Sequence, residues 1–169
     1  MPSHQYPTGI VMPVKRRQEL LSWAYKKEGR YLIEDDYDSE FRYKGKPIPA
    51  LQGMDGRERV IYSGTFSKSI APAIRVSYLV LPKPLLAVYK ERVNFYTSTV
   101  SRIDQNILYQ FMVSGCYERH LNRMRAVYKA KHDALIGALK PFEHQFAVKG
   151  EYAGLHLLLT DKKNRTEKW

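Results

Sequence analysis

Cysteine is nearly missing from this sequence. The one thiol in 169 residues, Cys116, excludes an internal disulfide and a cysteine-based zinc site of the usual kind. A reducing, cytoplasmic setting is the expectation. Long apolar runs are missing too, so no membrane span or membrane partner is expected. The N-terminal stretch from Pro2 to Thr8 is polar with no hydrophobic region after it, which does not read as a secretory leader. Acid is in short supply: 28 Lys and Arg stand against 17 Asp and Glu, a net charge of +11. The basic residues are dispersed and form no long run, which reads as a solvated surface and not a nucleic-acid footprint. Repeats and low-complexity segments are also lacking. With 44% apolar residues, the chain is instead of globular composition and long enough for one sizeable core.

The pattern alternates between helix and strand signals. After a turn-rich loop, "PSHQYPTGIVMP", the segment "VKRRQELLSWAYKKEG" predicts a helix. Its Val14, Leu20, Leu21 and Ala24 share a face, and Gly29 stops it. "RYLIEDDY" reads as a buried strand ending in acids, "DSEFRYKGKPIPALQGMDGRER" as mostly loop, and "VIYSG" and "VSYLVLP" as short strands. From Pro84 the period becomes helical, with Leu85, Leu86, Tyr89 and Val93 on one face and Ile103, Ile107 and Phe111 on another. The longest helix is expected from about Tyr117 to Leu139, after a break at Gly115, with Leu121, Met124, Tyr128, Leu135 and Leu139 in a stripe and Pro141 ending it. Two short strands around Gly150 and Gly154 close the sequence. This order implies an α/β fold with a partly parallel sheet.

The chemistry centres on "YSGTFSKSIAPAIR". Lys68 follows an apolar strand, among the hydroxyls of Thr65, Ser67 and Ser69, with Arg75 seven residues on. A lysine amine is nucleophilic only when neutral, and burial or a neighbouring cation favours that form. Hydroxyls and an arginine suit a phosphate group. A reactive lysine beside a phosphate site points to a phosphorylated aldehyde held as a Schiff base, that is, to pyridoxal 5'-phosphate. Its pyridine nitrogen needs a carboxylate partner. Side chains alternate along a strand, so Tyr31, Ile33, Asp35 and Tyr37 share one face while Leu32, Glu34 and Asp36 share the other. Asp35 and Tyr37 are then a pair for the ring nitrogen and the ring hydroxyl, and Asp36 is the weaker choice.

In combination, "EDDYDSEFRY", "GTFSKSIAPAIR", with its lysine 33 residues after Asp35, and "YERHLNRMRAVYKAKHDAL" resemble the aminotransferase-like domain of MocR-type regulators in the GntR superfamily. "PSHQYPTG" resembles the loop that precedes these elements in that family, although Tyr6 stands where related aminotransferases carry an asparagine.

The resemblance implies a pyridoxal-phosphate-dependent transferase type I fold. Residues 1–115 would be the C-terminal half of its large domain, with a mostly parallel sheet, and 116–169 an interdomain helix and the start of the small domain. It implies that Lys68 holds the cofactor, Asp35 pairs with the pyridine nitrogen, Tyr37 bonds the ring hydroxyl, and Arg75 binds phosphate with Thr65 or Ser67 helping. It further implies a homodimer, an amino acid or amine effector, and DNA contact only through an N-terminal winged helix-turn-helix that this sequence does not contain. The glycine-rich phosphate loop, the residue stacked on the ring and the arginine for a substrate carboxylate are also expected outside it. Three functions stand open: an effector-sensing module of a transcription regulator, a catalytic aminotransferase, and a cofactor-free fragment acting in dimerisation.

Overall fold

The computed structural model describes residues 1–93 and 95–163. A three-stranded sheet has the order β1 (Leu32–Asp36), β2 (Val60–Thr65), β3 (Ser77–Val80). β1 and β2 run parallel and β3 is antiparallel to β2, so the sheet is mixed, as the element order implied. Register gives its two faces different jobs. Glu34, Asp36, Val60 and Gly64 lie on a covered face; Ile33, Asp35, Ser63, Thr65, Ser77 and Leu79 lie on the other.

The covered face packs against α1 (Val14–Tyr25) and α2 (Leu51–Met54), where Leu21, Leu51 and Val60 form a small core with Tyr25, Leu32 and Met54 against it. α1 ends at Tyr25, four residues before Gly29. It buries Leu21 and Ala24 as expected, but it also buries Arg17, while Val14 is exposed. Arg17 is tolerated there because its guanidinium donates to the carbonyls of Met12, Pro49 and Pro2 at 3.1, 2.7 and 2.9 Å. α2 occupies a segment that reads as loop. A remote acid holds it: the buried Glu34 carboxylate accepts the Leu51 and Gln52 N–H groups, both at 2.9 Å, at the helix N-terminus.

β2 runs directly into α3 (Phe66–Ser69), and a return loop leads to β3. Gly64 is required in β2 because a Cβ there would stand 2.3 Å from the Tyr78 ring on β3. Then come α4 (Lys83–Val93), α5 (Arg102–Val113) and the long α6 (Cys116–Leu139), with Gly115 at φ 70° between the last two. The apolar face expected on α5 is largely uncovered: Ile103 and Ile107 are exposed and Leu108 is the buried residue. On α6, Leu121 is buried as expected, but Leu135 is exposed and His132 is buried, stacked on Tyr43 at 4.3 Å.

A short 3-10 turn, Lys140–Phe142, carries Pro141 and leads to the antiparallel pair β4 (Phe146–Lys149) and β5 (Leu158–Asp161). The loop between them returns to the segment after β1. Gly154 N–H donates to the Phe41 carbonyl at 2.7 Å and Tyr43 N–H to that of Tyr152 at 3.0 Å. The Phe41 ring, fully buried, meets Tyr128 of α6 edge-on at 4.8 Å. Among the described residues no helix is long and apolar enough to cross a membrane.

Candidate cofactor site

The carboxyl ends of β1 and β2 open into a cleft of about 260 Å3, lined by Asp35, Ser63, Gly64, Thr65, Ser67, Lys68, Arg75 and Ser77. Sequence reading singled out five of these eight: Asp35, Thr65, Ser67, Lys68 and Arg75. They converge for local reasons. Asp35 pairs in register with Ser63, and Thr65 with Ser77, so the acid and the hydroxyls share the open face. Thr65 caps α3, its Oγ1 accepting the Ser67 N–H at 3.2 Å and donating to the Val76 carbonyl at 3.3 Å. Ser67 donates its hydroxyl to the Ile74 carbonyl at 2.5 Å and accepts from Arg75 Nη1 at 3.5 Å. That hydroxyl therefore ties the return loop to α3 and brings the guanidinium beside the lysine-bearing turn.

Lys68 and Arg75 stand exposed to solvent. The burial expected around a reactive lysine is not supplied by the described residues. Asp36, by contrast, faces the interior: its Oδ2 accepts from Tyr62 Oη at 2.9 Å and its Oδ1 from the Ser39 N–H at 3.2 Å. Burial, together with the nearby charge of Asp36 and the bond to it, pushes the Tyr62 phenol far up. Tyr37 does not line the cleft. Its hydroxyl is buried without a hydrogen-bond partner among the described residues, and burial, with the charges of Asp38 and Asp35, pushes its phenol up to about 12. It is therefore a neutral donor at physiological pH. Tyr6 is exposed, its ring edge-on to His156 at 5.2 Å.

Ser63 and Ser77 escaped sequence reading. The signal for both was the period of two: Ser63 is in phase with Thr65 on β2, and Ser77 opens β3 opposite Thr65.

The profile of the family described as "Aminotransferase class I and II" matches residues 2–168. This chain belongs to the class I and II aminotransferase family. Proteins similar to it include an uncharacterized HTH-type transcriptional regulator, YhdI, of Bacillus subtilis (strain 168), 45% identical over 94% of this chain and 34% of that protein. The probable rhizopine catabolism regulatory protein MocR of Rhizobium meliloti is 37% identical over 80% of this chain and 27% of that protein. The chain thus spans about a third of the length of these curated relatives. Among solved structures, LysN, the α-aminoadipate aminotransferase of Thermus thermophilus complexed with N-(5'-phosphopyridoxyl)-L-leucine, superposes with a TM-score of 0.77. It is 27% identical, over 97% of this chain and 43% of that one. The aminotransferase fold expected from the motifs is therefore the fold observed.

Proposed function

We propose that this chain is the lysine-bearing part of an effector-sensing, aminotransferase-like module of a MocR-type transcription regulator, and that it takes pyridoxal 5'-phosphate at the cleft of Asp35, Lys68 and Arg75. The observation that carries this reading is the convergence of one carboxylate, one amine, one guanidinium and four hydroxyls on a single cleft. The donor set fits the group. When bound, pyridoxal phosphate supplies an electrophilic aldehyde on a ring whose nitrogen is protonatable. Lys68 is the only amine among the residues lining the cleft, so it is the candidate covalent anchor. Asp35 supplies the negative charge that favours a protonated pyridine nitrogen. Arg75, with Thr65 or Ser67, supplies donors for phosphate. Tyr37 is assigned to the ring hydroxyl on the family resemblance; it does not line the cleft, and its hydroxyl has no hydrogen-bond partner among the described residues.

The sensing role rests on the kinship to regulators: YhdI at 45% and MocR at 37% identity, against 27% for the aminotransferase LysN. An amino acid or amine would be the effector, the assembly a homodimer and the setting cytoplasmic. DNA would be reached through a separate helix-turn-helix. Residues 1–115 would belong to the large domain and 116–169 to the interdomain helix and small domain, with the boundary at the left-handed Gly115. Catalytic transamination is the second reading, favoured by the likeness to LysN.

Borohydride reduction of the protein mixed with pyridoxal phosphate, followed by peptide mapping, tests the anchor. The label is expected on Lys68 alone and lost in Lys68→Ala. Label spread over many lysines, or absent from Lys68, overturns the assignment. Amine addition to the full-length regulator then separates sensing from catalysis: a spectral change without keto-acid release supports the sensor, and sustained release supports the enzyme.

A further inference from the structure

His4, Asp38 and His156 come from three distant segments: the N-terminal loop, the turn after β1 and the loop before β5. One donor atom of each lies within 4.8 Å of the other two. His4 and Asp38 are each 1% exposed, and His156 is half-buried. None of the three lines the cofactor cleft.

Part of the cluster is explained by ordinary pairing. His4 Nδ1 and Asp38 Oδ2 are 3.0 Å apart, and the same oxygen accepts the Leu155 N–H at 3.0 Å. This leaves three atoms buried with no hydrogen-bond partner among the described residues: His4 Nε2, Asp38 Oδ1 and His156 Nε2. Most buried polar atoms in proteins are partnered, so three orphans in one cluster call for a ligand. A structural His–Asp pair also leaves the second imidazole without a reason. The His156 ring lies 4.1 Å from that of His4, tilted by 34°.

The packing keeps His4 in place and excludes larger residues around it. A Cβ on Gly154 would stand 1.6 Å from His4 Nδ1, and one on Gly9 would stand 2.4 Å from the Gly150 Cα. Both glycines have positive φ, 77° and 69°. Two imidazoles and one carboxylate, with one donor atom of each within 4.8 Å of the others, are a donor set that divalent transition-metal ions take.

We propose that His4, Asp38 and His156 bind a divalent transition-metal ion, with zinc the best match to two imidazoles and a carboxylate. The ion would clamp the N-terminal loop and the C-terminal hairpin onto the turn that carries Tyr37. The site does not depend on the cofactor assignment.

The test uses the full chain without an affinity tag, stripped by chelator, dialysed and titrated with Zn2+ by calorimetry and with Co2+ by visible absorption. One ion per chain is expected, with a cobalt spectrum of nitrogen and oxygen ligation. Affinity should fall by at least about tenfold in His156→Gln and in Asp38→Asn, in line with losses seen when metal-site partners are removed. The half-buried His156 makes the first variant the safer one to fold, and circular dichroism checks it. His144→Gln, at an exposed histidine, should bind as the parent does. Absence of saturable binding overturns the proposal. So does binding that survives in a folded His156→Gln, or that falls equally in His144→Gln.

Discussion

Asp35 and Asp36 share a residue type and a strand, yet the pleat separates their work. Asp36 is buried and accepts hydrogen bonds from Tyr62 and the Ser39 N–H; Asp35 is exposed and looks onto the cleft with Lys68. The two asparagine variants should therefore fail in different ways. Asp35→Asn removes the charge proposed to face the pyridine nitrogen and should weaken cofactor capture in the full-length protein while leaving stability within about 0.5 kcal/mol, as surface changes do. Asp36→Asn weakens two part-buried hydrogen bonds of a charged acceptor and should cost about 1–3 kcal/mol of stability. Urea unfolding and cofactor absorbance, read on both variants, distinguish the cases. Equal losses of cofactor would mean that the phase of β1 does not set the site. This phase was legible in the sequence because a strand has a period of two. The position of Tyr37 was less so: it lies just past the end of β1 and is not among the residues that line the cleft.

At the scale of elements, the strands and longer helices were readable because each carries its own period and breakers. What could not be read is whatever depends on a partner remote in sequence. α2 is four residues long and exists because Glu34, 17 residues earlier, accepts two N–H groups at its start. Arg17 is buried because three carbonyls from two loops, Pro2 and Met12 before α1 and Pro49 before α2, surround its guanidinium, which no helical wheel shows. Ile103 and Ile107 of α5 have the spacing of a buried face, yet they are exposed, since spacing records amphipathicity and not what covers it. The α2 contact makes a test. Glu34→Ala leaves the buried Leu51 N–H and the part-buried Gln52 N–H without their acceptor and opens a void in the covered face, so it should destabilise by about 2–4 kcal/mol. Glu34→Gln retains an acceptor of similar shape and should cost less. Chemical denaturation of both would decide; a harmless Glu34→Ala would show that α2 holds itself.

The whole molecule exposes more surface than its mass explains. The chain has 12182 Å2 accessible at 19.7 kDa. A folded monomer of that mass exposes about 8,600 Å2, an excess of roughly 3,600 Å2 here. Exposed apolar side chains lie on the sheet face that bears the site and on α5. Ile33 and Leu79 are 72% and 61% exposed on the sheet face that carries Asp35, and Ile103 and Val113 of α5 are 74% and 61% exposed. β1 and β3 are both edge strands of the three-stranded sheet, so backbone donors and acceptors are open to pairing as well. The net charge of +11 opposes contact between copies, but repulsion among dispersed charges is screened over about 8 Å at physiological salt. Apolar burial at about 25 cal/mol per Å2 is not screened. Self-association is therefore the expected state, and it should strengthen with salt as the repulsion fades. Sedimentation across a concentration series, at low and at physiological salt, checks both statements. The mean mass should rise with concentration at either salt, and more steeply at the higher one. A sharp monomer at every concentration, unfolding in one cooperative step, would mean that these exposed faces close on each other within one chain and that the surface excess does not exist in solution.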